Sequence, residues 1–212
     1  MKKVEIELYS NIEPVGDKVH RIVDTVASLI PCGSSILKSL VSAPFEHRLE
    51  KWTFEVTDAL NQLIDDHGKT LEELQNNQQF IDFILNLSQS ATKTSQQEKI
   101  DYLKTALINS ALHEFDDKDE YNYFLNILDS FSAAHIRVLL KYNGVVAGLN
   151  SEKEHLKEFA DYESKKHIYE QVLSDLVSRE LILAVPDNSF GLQVYRSATA
   201  NKLIKLLEKP NR

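Results

Sequence analysis

Apolar residues recur every three or four positions along most of this 212-residue chain, and only six glycines and five prolines interrupt them. That spacing marks one face of an α-helix, so the chain can bury its apolar side chains only as a set of packed amphipathic helices. The breakers sit in clusters that divide those helices. Glu13-Pro14 and Gly16 precede a run with Val19, Ile22, Val23, Val26 and Ile30 at helical spacing. Pro31-Cys32-Gly33 ends it, because proline cannot continue the ladder and glycine accepts a left-handed cap. Ser34 or Ser35 then caps a short helix with the stripe Ile36, Leu37, Leu40 and Val41, closed by Pro44. Ahead of all this, "KVEIELY" alternates apolar and charged residues, the pattern of a short strand.

From Glu46 the stripe is Leu49, Trp52, Val56, Leu60 and Leu63, a helix to about Asp66 that Gly68 stops. Thr70 with Glu73 three residues on is a capping-box signature. Residues 78–113 read as a long helical segment with Phe80, Ile84, Leu87, Ala91, Ile100, Leu103, Leu107 and Ala111 inward. Its polar middle, "TKTSQQEK", predicts a kink or an exposed span of one continuous helix. "HEFDDKDE" breaks the pattern and places an internal boundary. Residues 1–117 are expected to form an acidic helical domain with a Pro/Gly-turn hairpin, and residues 118–212 a second domain.

Charge divides the same way. Residues 1–117 hold 11 Lys and Arg against 19 Asp and Glu, whereas residues 118–212 hold 13 of each, so the net charge of −8 belongs to the first part. Such a balance builds in no general attraction for nucleic acid or anionic lipid. A single cysteine, Cys32, excludes an intrachain disulfide and fits a reducing compartment. The first ten residues lack the continuous apolar core of a signal peptide, and no uncharged apolar run reaches 18 residues. A cytoplasmic protein is expected.

The second part reads helix, helix, charged helix, helix, hairpin, helix. Tyr123, Phe124, Ile127 and Leu128 mark the first helix; Ser132 caps the second, with Ile136, Leu139 and Leu140. After a loop with Asn143-Gly144 and Gly148 come a charged helix, "SEKEHLKEFADY", and a helix with Ile168, Val172, Leu173, Leu176 and Val177 inward. "LILAVPDNSFGLQVYR" has the composition of a β-hairpin, and Ser197 or Thr199 caps the closing helix. The expected class is therefore mainly α, with a small β-hairpin wing.

Over residues 132–207, "FSAAHIRVLLKY", "VLSDLVSRELILAV" and "VYRSATANKLIKLL" resemble the winged helix-turn-helix family. The resemblance implies that "KKHIYEQVLSDLVSR" is the helix that enters a DNA groove. Lys165, Lys166 and Arg179 would then be candidate phosphate contacts and Gln171 a candidate base contact. Glu170 and Asp175 on the same helix, and Glu152, Glu154, Glu158 and Asp161 before it, oppose that use, because counterion release needs several net cations on one face. The whole chain also resembles an uncharacterised family of bacterial helical proteins through "LIPCGSSI", "PFEHRLEKW" and "LINSAL", with Cys32 in place of a glycine. That resemblance implies a bacterial origin and carries no activity.

Catalytic motifs are absent from the sequence: it holds no P-loop, G-x-G-x-x-G, G-x-S-x-G or H-E-x-x-H. The seven histidines are scattered, with no pair three or four apart, so sequence-local zinc ligation has no support. "DDKDE" lacks the turn glycine and the ligand spacing of a calcium loop, and reads as a helix cap at Asp116 or Asp117. No enzyme activity, cofactor or metal is expected.

Residues 29–45 carry Lys38 as their one charge. They suit a buried helical hairpin best, because burial against the helix from Glu46 satisfies three apolar faces at once. Ile36, Leu37, Leu40 and Val41 are the candidate membrane or partner surface if that hairpin opens. Each helix is shorter than a bilayer is thick, and the basic flank is thin, so membrane contact is disfavoured. The Leu49-to-Leu63 stripe is also close to a heptad seam, which permits self-association. The leading expectation is a non-enzymatic module acting through a protein partner or a second copy of itself. A DNA-binding regulator and a membrane-active bacterial effector are the alternatives.

Overall fold

The computed structural model describes residues 35–113, 115, 117–142, 146–147, 153, 155–187 and 191–210, with backbone alone at 35–42, 146–147, 187 and 191–192. The expected strand at "KVEIELY", the helix over 19–30 and the turn at Pro31-Cys32-Gly33 lie outside the described residues. What is described is mainly helical, with a small antiparallel sheet near the C-terminus. Contacts divide the chain between Glu114 and Phe115 into two compact units.

The first unit holds α1 (Ser35–Asp65), α2 (Leu71–Asn76), α3 (Gln78–Lys93) and α4 (Gln97–Leu112). Helix α1 runs through Pro44, which was expected to close a short helix. The proline removes one backbone hydrogen bond and is tolerated within a helix of 31 residues. After Asp65 the chain reverses at Gly68, whose φ of 67° lies in the left-handed region, and Lys69 N–H donates to the Leu63 carbonyl at 3.0 Å. Thr70 and Glu73 form the reciprocal capping box of α2, with bonds of 3.2 and 2.8 Å.

Helices α3 and α4 are two helices, where a kink or one continuous helix was expected. Thr94 leaves the helical region (φ −107°, ψ 148°), and its hydroxyl accepts from Gln96 N–H at 3.1 Å. A hydroxyl that competes for backbone donors favours a turn over a helix interior, and three polar residues suffice to reverse the chain. Helices α1, α3 and α4 pack on one another. Their core is Trp52, Leu63, Phe80, Phe83, Leu87, Leu103 and Leu107, each nearly or wholly buried. Leu49, Val56 and Leu60 are half-buried, so most of the stripe expected from the sequence faces this core.

The second unit holds α5 (Lys118–Ser130), α6 (Ala133–Lys141), β1 (Val146–Ala147), a 3-10 turn at His155–Glu158, α7 (Tyr162–Ser178), β2 (Ile182–Asp187), β3 (Gly191–Arg196) and α8 (Ala198–Leu207). The sheet order is β1-β3-β2, all antiparallel, with Ile182 opposite Arg196 and Pro186 opposite Leu192. Asp117 caps α5 through Asp119 N–H, as the acidic cluster predicts. The charged helix expected over 151–162 is, where described, a 3-10 turn followed by a fresh helix start at Tyr162.

Helix α7 is kinked at Lys165 (φ −122°, ψ 17°), which shifts its register. Beyond the kink Tyr169, Val172, Leu173 and Leu176 are buried on one face, whereas Ile168, expected inward, is 42% exposed. The helix ends at Glu180, a non-glycine residue at φ 57°. Glu180 N–H donates to Val177 and Leu181 N–H to Leu176, the paired bonds of a Schellman cap, with Leu176 and Leu181 both fully buried.

Ser197 caps α8 by accepting from Ala200 N–H at 3.1 Å. Five residues of that ten-residue helix are buried, so its start is fixed by the cap and its face by the core. Ser197→Ala is expected to lower the second unit's stability by about 1 kcal/mol. Chemical denaturation followed by circular dichroism measures it; an unchanged midpoint would remove the cap from the list of stabilising contacts.

Candidate functional site

Helix α7 and its C-cap residue Arg179 hold the four residues the sequence singled out for nucleic-acid contact, and the structure treats them unequally. Lys165 is exposed but bound: its Nζ lies 2.7 Å from Asp161 Oδ2, one turn back. Arg179 Nε lies 3.4 Å from Asp175 Oδ2, and its guanidinium sits 5.4 Å from the centre of the Phe131 ring. Lys166 and Gln171 are exposed and enter no ion pair among the described residues. Glu170 meets Lys153 at 3.4 Å. The helix thus balances most of its own cations with its own acids.

Asp161 belongs to a larger arrangement that the sequence did not reveal. Its Oδ1 accepts from Tyr169 Oη at 2.7 Å, and the same hydroxyl accepts from Arg137 Nη1 at 3.0 Å. The Tyr169 ring stacks flat on Phe159 with centroids 4.8 Å apart, and the Arg137 guanidinium lies 5.8 Å from its centre. A chain of contacts therefore runs from α6 through α7 to the turn before it. The Lys165 ammonium first, then the Tyr169 hydroxyl, hold the Asp161 carboxyl down to about 2.

That depression has a direction. The folded value lies below the ordinary 3.8, so Asp161 contributes stability above the ordinary value and loses it as pH falls toward about 2. Asp58, Glu73 and Glu158 are also held low, by hydrogen bonds from Lys104, Thr70 and Lys141 respectively, and act in the same sense. Stability is expected to fall progressively from about pH 5 to about pH 2. In Asp161→Asn the part owed to this carboxylate is already gone, so the gap between wild type and variant should narrow through that window. A gap of constant size would remove Asp161 from the acid response.

A second cluster has the hydrogen-bond order of a serine hydrolase site. Ser132 Oγ lies 2.8 Å from His135 Nδ1, and His135 Nε2 lies 3.2 Å from Asp175 Oδ2. Other contacts on these residues explain the arrangement without a reaction. His135 Nδ1 also accepts from Ser132 N–H at 3.3 Å, so the imidazole completes the capping box that starts α6. Its ring stacks on Phe131 at 4.8 Å, and Asp175 is shared with Arg179. The cluster ties the start of α6 to α7. The sequence hid it because Ser132 and Asp175 stand 43 positions apart.

Of the other candidates, Ile36, Leu37, Leu40 and Val41 lie on the first turns of α1, and their side chains are outside the described residues. No group of three or more His, Cys, Asp and Glu among the described residues is placed to hold a metal ion. Nor is any described helix long and apolar enough to cross a membrane. No family model, curated protein or solved structure matches the chain.

Proposed function

We propose that this chain is a non-enzymatic interaction module that works through protein contacts, with a winged-helix-like second unit. The succession α6, β1, the 3-10 turn, α7, β2 and β3, with sheet order β1-β3-β2, supports the winged-helix reading. The observation that carries the protein-contact reading is the charge arrangement of α7. Lys165 and Arg179 are held by Asp161 and Asp175, while Ile168 on the same helix and Val185 on β2 are each 42% exposed. A helix that pairs most of its own charges and exposes an aliphatic side chain suits a protein partner better than a polyanion.

Affinity capture of the tagged protein from its host, with and without nuclease, tests this. Partners retained after nuclease and lost in Ile168→Asp support the reading; partners that disappear with nuclease oppose it. Lys166, exposed and outside any ion pair among the described residues, and the exposed Gln171 favour DNA as the second reading. It requires duplex affinity that falls steeply with salt and weakens in Lys166→Gln.

A further inference from the structure

The geometry points to a binding site for a phosphate monoester in the first unit, between the N-terminal half of α1 and the turn joining α3 to α4. A cavity of about 310 Å³ opens there, lined by Pro44, His47, Arg48, Lys51, Ala91, Thr94, Ser95 and Ile100. Three of these side chains are basic and none is acidic, although the sequence up to Asp117 has 19 acids against 11 Lys and Arg. His47, Arg48 and Lys51 enter no ion pair among the described residues. Two cations, Arg48 and Lys51, and an imidazole thus line one concavity of an acidic unit with no carboxylate among the lining side chains, a positive local field that favours a bound anion.

One wall is tied down. Arg48 Nη1 donates to the Thr92 carbonyl at 3.2 Å, tying α1 to the last turn of α3 and holding the guanidinium at the cavity. The Thr94 hydroxyl accepts from Gln96 N–H, which leaves its own proton free to donate to a ligand. Ala91 and Ile100 are buried and form an apolar floor.

This chemistry selects the ligand class. A phosphate monoester carries about −1.5 to −2 charges at neutral pH and three terminal oxygens, which match a guanidinium, an ammonium, an imidazole and two hydroxyls. A carboxylate has two oxygens and one charge and leaves donors unused. The volume is at the small end for ligand sites, roughly 300–1,000 Å³, and no Phe, Tyr or Trp lines it, so the site favours a compact ester over a nucleotide. A free metabolite and a phospholipid headgroup share this chemistry.

Isothermal titration with glycerol 3-phosphate, and cosedimentation with phosphatidic-acid vesicles, test the site on the full chain. Lys51→Gln is the principal variant, because the exposed Lys51 side chain enters no ion pair among the described residues. Arg48→Gln is the second, and Lys205→Gln, an exposed lysine of α8, is the control. Heat with the soluble ester that weakens about tenfold in Lys51→Gln and persists in Lys205→Gln supports the site and assigns a free ligand. Vesicle binding alone, with the same response to Lys51→Gln, supports the site and assigns a lipid headgroup. Binding to neither probe, or binding that Lys51→Gln leaves unchanged, overturns the proposal. The test is indifferent to the protein-contact reading, which rests on the other unit.

Discussion

Replacing Trp52 with alanine is expected to lower the first unit's stability by about 3–5 kcal/mol, a substantial fraction of what a domain of this size possesses. The indole is 2% exposed, in the face of α1 that packs on α3 and α4. Its Nε1–H donates to Ser88 Oγ at 2.8 Å, so the change opens a cavity and leaves a hydroxyl short of its donor. Trp52→Phe separates the two effects: the ring remains and the hydrogen bond goes, with an expected cost nearer 1–2 kcal/mol. Trp52 is the chain's one tryptophan, so circular dichroism must follow the unfolding. A loss below about 1 kcal/mol in Trp52→Ala would mean that the three-helix core does not close on this side chain.

The second large effect belongs to Tyr169. Tyr169→Ala is expected to cost the second unit about 3–5 kcal/mol. It removes a side chain that is 1% exposed, stacked on Phe159, and bonded through one hydroxyl to both Arg137 and Asp161. Tyr169→Phe keeps the stack and should cost about 1–3 kcal/mol, because two polar partners lose their shared contact. The same variant should also raise the Asp161 carboxyl toward its ordinary range, since the Tyr169 hydroxyl is one of the groups that hold it down. Titration of that carboxyl by NMR distinguishes a broken network from a general loosening: in the second case the Lys165 contact fails too, and the shift is lost altogether.

What the sequence disclosed follows the range of the interactions involved. Local signals transferred well. The Thr70–Glu73 capping box, the Asp117 cap, the Ser197 cap and the hairpin of β2 and β3 each depend on residues within a few positions, and each is present. Rules about breakers transferred less well. Pro44 lies within a helix it was expected to end, whereas Thr94, Ser95 and Gln96, with no proline or glycine, end one. Both outcomes reflect competition: a long helix absorbs one missing bond, and a threonine hydroxyl that captures a backbone donor can stop another. The expected inward set of α7 failed at Ile168, because Tyr169, Val172, Leu173 and Leu176 already fill the buried face and leave Ile168 at its edge.

The candidate site was legible only as a set of residue types. Lys165, Lys166 and Gln171 lie on α7 and Arg179 caps its end, but what each is free to do depends on partners fixed by the fold. Phe131 lies 48 positions from Arg179, and Arg137 lies 32 from Tyr169. The cavity beside Arg48 was invisible for the same reason, because Thr94 and Ser95 reach it only once α3 and α4 fold back beside α1.

Pro186 gives the small sheet a further property. It sits in β2, the outermost strand in the order β1-β3-β2, and contributes no backbone donor. A strand at a sheet's edge ordinarily invites another chain to extend the ladder, and a proline there is one of the devices that discourages it. Strand addition along this edge is therefore discouraged at Pro186. Contact with this edge of the sheet then falls to side chains such as Val185, 42% exposed, in place of the backbone ladder.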